Sequence, residues 1–255
     1  MDKLAVFGAI IAFVAIGLGY TIEGGVLANL FDLSAFIIVF GGTLGAVMLQ
    51  ATKYQFTTAI KMLPWVITPP KHDFAKGIEQ VKSWAAKVRH DGYLSLENLA
   101  IDEKDHFVSK GLNLLVDGSD EQQFFDTMEN EILQRRNALN ESSQVYHAMG
   151  GYSPTLGILG AVLGLIQAMN FIQQPDMLGA GIATAFVATI YGVGFANLLY
   201  IPIANKLAYL VDEHCRYHQM LAEGMFCILQ GDTPNAIEQK LSAYLIEKNN
   251  KSLFR

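Results

Sequence analysis

The sequence predicts an all-α membrane protein: four transmembrane helices, with a helical cytoplasmic domain between spans two and three. Three observations lead there. Of 255 residues, 51% are hydrophobic and only 16% are charged, where a soluble domain carries about a quarter. The deficit is concentrated in four charge-free runs, bounded by Lys3 and Glu23, Asp32 and Lys53, Glu141 and Asp176, and Asp176 and Lys206. Each can supply the roughly 20 apolar residues of a spanning helix. Finally, all 18 Lys and Arg fall on one side of that arrangement, and the connectors 21–32 and 172–180 contain none. The bias of basic residues toward the cytoplasm then places both termini and the long middle segment inside, and the two connectors outside.

The elements follow in order. The first apolar run has only Lys3 before it and no small-residue cleavage site in "GYTIEGG", so it reads as a retained span and not a signal peptide. Spans one and two (4–22, 33–50) form one hairpin, and spans three and four (149–172, 178–204) a second. The chain thus divides into a first hairpin (1–52), a cytoplasmic helical domain (53–148), an inner hairpin (149–206) and cytoplasmic C-terminal helices (207–255). Phe74, Ile78, Val81, Ala85 and Val88 recur at helical spacing until Gly92. A second helix carries Val108, Leu112 and Leu115 and stops at Asp117-Gly118. Ser119 opens a third, with Gln122 completing a capping box; no Gly or Pro interrupts it before Gly150, so it runs into span three. A helix with Leu207, Leu210, Val211, Leu221 and Met225 continues below span four. Gly231 ends it, and Thr233-Pro234 begins the last. The tail "EKNNKSLFR" is expected to fray.

The two hairpins differ in texture. Spans one and two carry Phe7, Phe13, Phe36 and Phe40. Span three has Gly157 and Ala161 four apart, and likewise Gly160, Gly164 and Ala168. Span four, "LGAGIATAFVATIYGVGFAN", aligns Ala180, Thr184, Ala188, Gly192 and Ala196. Ridges of small residues let helices approach closely in lipid, where hydrophobicity gives them no reason to associate. The ridges are expected to serve packing of span three on span four and also packing against other chains.

Enzyme chemistry has no foothold: there is no phosphate-cradling glycine loop, nucleophile elbow or H-E-x-x-H. The net charge of −6 argues against nucleic acid, and no cofactor is implied. Cys215 and Cys227 lie on the reducing side and are expected to be free. In "HCRYH", His214 and His218 lie one turn apart; with no further ligand spacing they read as exposed helix residues and not a metal site. The spans contain no Asp, Glu, Lys or Arg, although ion transporters keep a titratable group in the membrane. An ion-carrying side chain must then come from another polypeptide. The polar atoms available are the hydroxyls of Ser153, Thr155 and Thr189 and the amides of Asn170 and Asn197. Pro154 and Pro202 each remove a helix hydrogen bond, and near the cytoplasmic ends of the inner spans they read as a pair of conformational hinges.

In "SPTLGILGAVLGLIQAM" (153–169), "AFVATIYGVGFANLLYIPIANKL" (185–207) and "GLNLLVDGSD" (111–120), and in its order of spans, the whole chain resembles the A subunit of the bacterial flagellar motor stator, the MotA/PomA family. The resemblance implies a multi-pass protein of the bacterial inner membrane. It also implies a ring of A subunits, a pentamer, around a dimer of stator B subunits, each with a single span, an ion-binding Asp and a peptidoglycan-binding domain. Ion flow would turn the ring and push on the rotor's switch complex. The family's rotor-facing charges match Arg89 and Glu97 in "AKVRHDGYLSLENL"; neighbouring positions charged in some members are His90 and Asn98 here. The family's two prolines match Pro154 and Pro202. Sodium-driven relatives carry a Thr in each inner span. Here the span-three position is Ala161 while span four keeps Thr189, which with Thr155 outlines the ion pathway. Sodium needs several oxygen ligands, so the resemblance implies coupling to protons. A family acidic position near the start of span three is Gly151, and no role is carried over to it.

Two other readings stay open on sequence alone. Proton-driven energisers of outer-membrane processes share the inner-hairpin logic but have three spans, against which the run between Asp32 and Lys53 speaks. A passive membrane scaffold would account for the small-residue ridges without the polar atoms.

Overall fold

The computed structural model describes residues 3–245, with the side chains of 3 and 175–177 left aside; the tail 247–255 lies outside the described residues. Every regular element among them is helical: α1 (Lys3–Ile22), α2 (33–50), α3 (Lys53–Met62), α4 (Phe74–Asp91), α5 (Glu97–Asp102), α6 (His106–Val116), α7 (Glu121–Met169), α8 (Pro175–Phe195), α9 (Ile201–Leu229) and α10 (Pro234–Leu241). Four helices are long and apolar enough to cross a membrane. The chain forms two compact units, Met1–Pro69 with Ala138–Leu210, and Pro70–Asn137 with Val211–Arg255.

In the first unit, α1 leaves Phe7, Ile10, Ile11, Phe13 and Val14 exposed; for a segment with no polar side to hide, lipid is the matching solvent. Asp32 begins α2, its Oδ1 accepting from Ala35 N–H at 2.9 Å. That is N-capping, which satisfies a donor the first turn leaves without a partner. Ala35, Val39, Thr43 and Val47, every fourth residue, are the buried stripe of α2. Ala35 and Val39 pack with Val187 and Ala188, with Tyr191 and Phe195 beside them. A widened turn at Ile37–Gly41 interrupts the helix. Thr52 then caps α3 in a true capping box with Gln55, a signal the sequence carries as Thr-x-x-Gln.

The sequence places such a box at Ser119 and Gln122, and here the structure differs. The cap of α7 is Asp120, which accepts from Gln123 N–H at 2.8 Å, while Gln122 donates to Asp126. Ser119 N–H already donates to Leu114 O, closing the end of α6 around Gly118 at φ +70°. A box at Ser119 would need that same N–H, so the cap moves one residue on.

As expected, α7 is one 49-residue helix running through Pro154, which neither starts nor ends it. Span three stops at Met169, and span four starts at Pro175, a residue preorganised for a first helical turn; both limits lie within three residues of the expected ones. Between α8 and α9 the turn Ala196–Tyr200 is widened, with Ile201 N–H reaching back to Ala196 O. The ring of Pro202 would crowd the carbonyl four residues back in a regular α-helix, and a widened turn just before it relieves that clash.

The second unit is a helical cluster whose fully buried side chains include Leu96, Phe107, Leu112, Leu115, Phe124, Met128, Met220, Leu221, Met225 and Ile237. Gly92, at φ +78°, turns the chain from α4 toward α5. Gly231 closes α9 as expected, and Thr233 caps α10 with Pro234 in its first turn. Both cysteines are free and buried. The expectation of exposed histidines fails: His218 is 1% exposed and its ring packs on Phe107. Helical spacing alone gave no sign that this side of α9 faces α6.

Candidate functional site

Spans three and four pack antiparallel through their glycines. A Cβ added at Gly192 would lie 2.7 Å from Ser153 O and 2.8 Å from Gly157 Cα; one at Gly164, 3.0 Å from Ala185 N; one at Gly181, 2.8 Å from Ala168 Cβ. Gly160 meets Ala188 in the same way. The pairing 157 with 192, 160 with 188, 164 with 185 and 168 with 181 is one continuous seam, with backbone against backbone wherever a side chain is missing. So the small-residue ridges are occupied within the chain. On span four Ala188, Gly192 and Ala196 are buried, but Ala180 is exposed and Thr184 faces the first hairpin.

The exposed faces are apolar. Span three exposes Ile158, Leu159, Val162, Leu165, Ile166 and Met169, and span four exposes Phe186, Ile190 and Val193. Thr155, also exposed, donates to Tyr152 O at 2.7 Å, and half-buried Thr189 donates to Ala185 O at 3.3 Å. Each hydroxyl thus bonds back to its own turn, leaving its oxygen lone pairs to accept. The seam brings Ala161 and Thr189 to nearly one level, since each follows a residue of the Gly160–Ala188 contact. Thr155 and Pro154 lie farther along α7, Pro154 near the Gly157–Gly192 contact and Pro202 past the widened turn. Ser153 and Thr43 are buried hydroxyls with no hydrogen-bond partner among the described residues.

Sequence reasoning missed one polar link. Thr184 Oγ1 donates to Asp32 Oδ2 at 2.6 Å, Ser34 Oγ donates to Asp32 Oδ1, and Tyr191 Oη donates to Leu30 O at 2.6 Å. Asp32 therefore sits level with Thr184, six residues inside the expected start of span four, or about 9 Å along a helix. Taking charges as span limits put Asp32 outside by construction. The signal available was a cap residue facing a hydroxyl within an apolar run.

In the other unit, Arg89 and His90 occupy the last turn of α4 and Glu97 the first of α5, with Gly92 turning the chain between them. Arg89, Glu97 and Asn98 are exposed, and neither Arg89 nor Glu97 is in an ion pair among the described residues. Beside them Leu94 and Ile101 are each 72% exposed. A search for charged residues alone overlooks these two exposed apolar side chains. The described residues include no group of three or more His, Cys, Asp or Glu arranged to hold a metal ion.

Residues 100–220 match the sequence model of the MotA/TolQ/ExbB proton channel family, and residues 6–88 that of the motility protein A N-terminal region. Motility protein A of Bacillus subtilis (strain 168) is 34% identical, over 98% of this chain and 93% of that protein. Chemotaxis protein PomA of Vibrio alginolyticus is 27% identical over 97% and 96%. Among solved structures, C. jejuni MotAB superposes with a TM-score of 0.91 at 28% identity, covering 98% of both chains. The flagellar MotAB stator complex of Bacillus subtilis gives 0.86 at 32%, covering all of both.

The seam makes a test of its own. Gly192→Val should destabilise the protein by about 1–3 kcal/mol or more, because backbone cannot yield to the added methyls, and should lower both melting temperature and accumulation in membranes. Gly194→Ala, whose Cβ meets nothing within 4 Å, should change neither. Equal behaviour of the two variants would show that the seam is not packed as described.

Proposed function

The chain belongs to the motility protein A family, the A subunits of the bacterial flagellar stator, and from that premise we propose how its parts divide the labour of turning ion flow into torque. One observation carries the reading: the residues that meet across the seam of spans three and four are glycines and alanines, with no titratable side chain among them. Such a wall can line a proton path but cannot hold the proton. The carrier is then a carboxylate on the single span of a B subunit, and the Asp32 carboxylate, engaged by Thr184, Ser34 and Ala35, joins the first hairpin to span four.

In this reading the exposed apolar faces of spans three and four take neighbouring A subunits, five in a ring, and the B helices at its centre. Spans one and two, with their exposed Phe and Ile side chains, face lipid in the bacterial inner membrane, with both termini in the cytoplasm. Thr189 offers its oxygen to the carried ion at the level of Ala161, Thr155 lies farther along the same path, and Pro154 and Pro202 are the hinges. A proton crossing the membrane supplies about 2.3 kcal/mol per 100 mV. Arg89 and Glu97, in no ion pair among the described residues, meet opposite charges on the rotor's switch protein, with Leu94 and Ile101 adding apolar contact. Exposed pairs within one chain are worth only about 0–1 kcal/mol, so unpaired charges at a corner suit a partner that engages and releases at each step.

Proton coupling follows from Ala161, which removes an oxygen that sodium would use. Swimming driven by this subunit should be independent of external sodium and abolished by a protonophore, and Ala161→Thr should reduce speed without conferring a sodium requirement by itself. Sodium-dependent swimming of the unmodified strain would overturn the assignment. For the torque surface, Arg89→Glu should cut swimming speed at least several-fold, and a compensating reversal on the switch protein should restore it. Full speed in the single variant would remove Arg89 from the interface.

A further inference from the structure

The second unit holds a cluster that neither ion conduction nor rotor contact uses. His72, in the segment before α4, approaches His214 of α9, Nε2 to Nδ1, at 3.0 Å. His214 packs edge-on against His218 with ring centres 4.4 Å apart, and Tyr217 stacks on His72 at 4.8 Å. His218 Nε2 lies 2.8 Å from Asp105 Oδ2, while its Nδ1 is buried with no hydrogen-bond partner. An ionised carboxylate can only accept, so His218 Nε2 donates to Asp105.

We propose that the contact between His72 and His214 is an acid-sensitive latch, which ties the start of α4 to α9 and releases it when a proton enters between the two rings. The contact between His72 and His214 needs one ring to donate and the other to accept. A proton on the accepting nitrogen sets two N–H groups head to head. Of the charges facing the cluster, Asp105 favours a proton on His214, but burial, His218, His72 and Arg135 outweigh it. Asp105 is engaged by His218, by Phe107 N–H and by Arg135 of α7, which itself reaches Glu131. Glu103 lies on the connection before α6, and Asp73 pairs with Lys76 at the start of α4. Arg216 of α9 lies over the Phe74 ring.

Burial above all, with His218, His72 and Arg135 adding to it, pushes the His214 imidazole down to about 3 from an ordinary 6.5. A base held below its ordinary value binds fewer protons folded than unfolded. The stability it lends is complete above 6.5 and is lost as pH falls from there toward about 3. Within that window each pH unit multiplies the opened population by up to about tenfold. On the orientation proposed above, the latch faces the cytoplasm, so a proton-driven subunit would be restrained as the protons it admits accumulate.

The test is amide hydrogen exchange on the full chain in lipid nanodiscs, between about pH 7.5 and about pH 5.5, corrected for the intrinsic rate. Residues 74–78 and 106–109 should open up to about tenfold more per pH unit below the imidazole range. His214→Phe should remove that response. His72→Gln, whose amide oxygen can accept from a protonated His214, should diminish it, and it decides the matter if His214→Phe does not accumulate. No response in the unmodified chain, or an undiminished one in His72→Gln, would overturn the latch. So would protection of the same segments by added zinc at neutral pH, which would make the cluster a metal site. Exchange reads the latch in either membrane orientation, so its failure is separable from failure of the proposed function.

Discussion

Two backbones touch at Gly157 and Gly192, and the inner hairpin depends on that contact. In lipid the hydrophobic effect does not drive helices together, so van der Waals contact over a long seam must do so. Small residues at 157, 160, 164 and 168 against 192, 188, 185 and 181 provide it. The seam has a chemical consequence as well. A surface made of glycine, alanine and backbone cannot titrate, and its two nearby threonines bond to their own turns. The hairpin presents a neutral surface with a few oxygen lone pairs.

The first hairpin is attached to that surface by different means. Ala35 and Val39 pack on Val187 and Ala188, and beyond them the Asp32–Thr184 bond and the Tyr191 reach to Leu30 tie the start of α2 to span four. A charge-assisted bond of this kind contributes about 1.5–3 kcal/mol. That suits a hairpin with little other polar attachment. The faces left open on spans three and four are broad and apolar, which is what an assembly of several chains in a membrane requires.

Much of this was legible in the sequence because the membrane imposes long, simple patterns. Charge-free runs mark the spans, Gly92 and Gly231 stop helices through positive φ, and Thr233-Pro234 starts one. The misses share a cause: each depends on what a residue meets and not on what it is. Ser119 could not be rejected as a cap until its N–H was seen closing the preceding helix. Asp32 looked like a boundary until Thr184 was found beside it. His214 and His218 looked exposed because one turn of spacing does not say which neighbour the turn faces. The widened turn at 196–200 has its mark in Pro202, while the one at 37–41 has none in the sequence. At the candidate site, the residue types and the packing of span three on span four were readable, but which residues meet across the seam was not.

The central claim is that this subunit shapes a proton path without carrying the proton. Proton flux into liposomes under an imposed membrane potential tests it most directly, comparing the chain alone, the chain with its B subunit, and the pair with the B-subunit carboxylate changed to an amide. The account predicts flux only from the unmodified pair. Flux from the chain alone equal to that of the pair would contradict it.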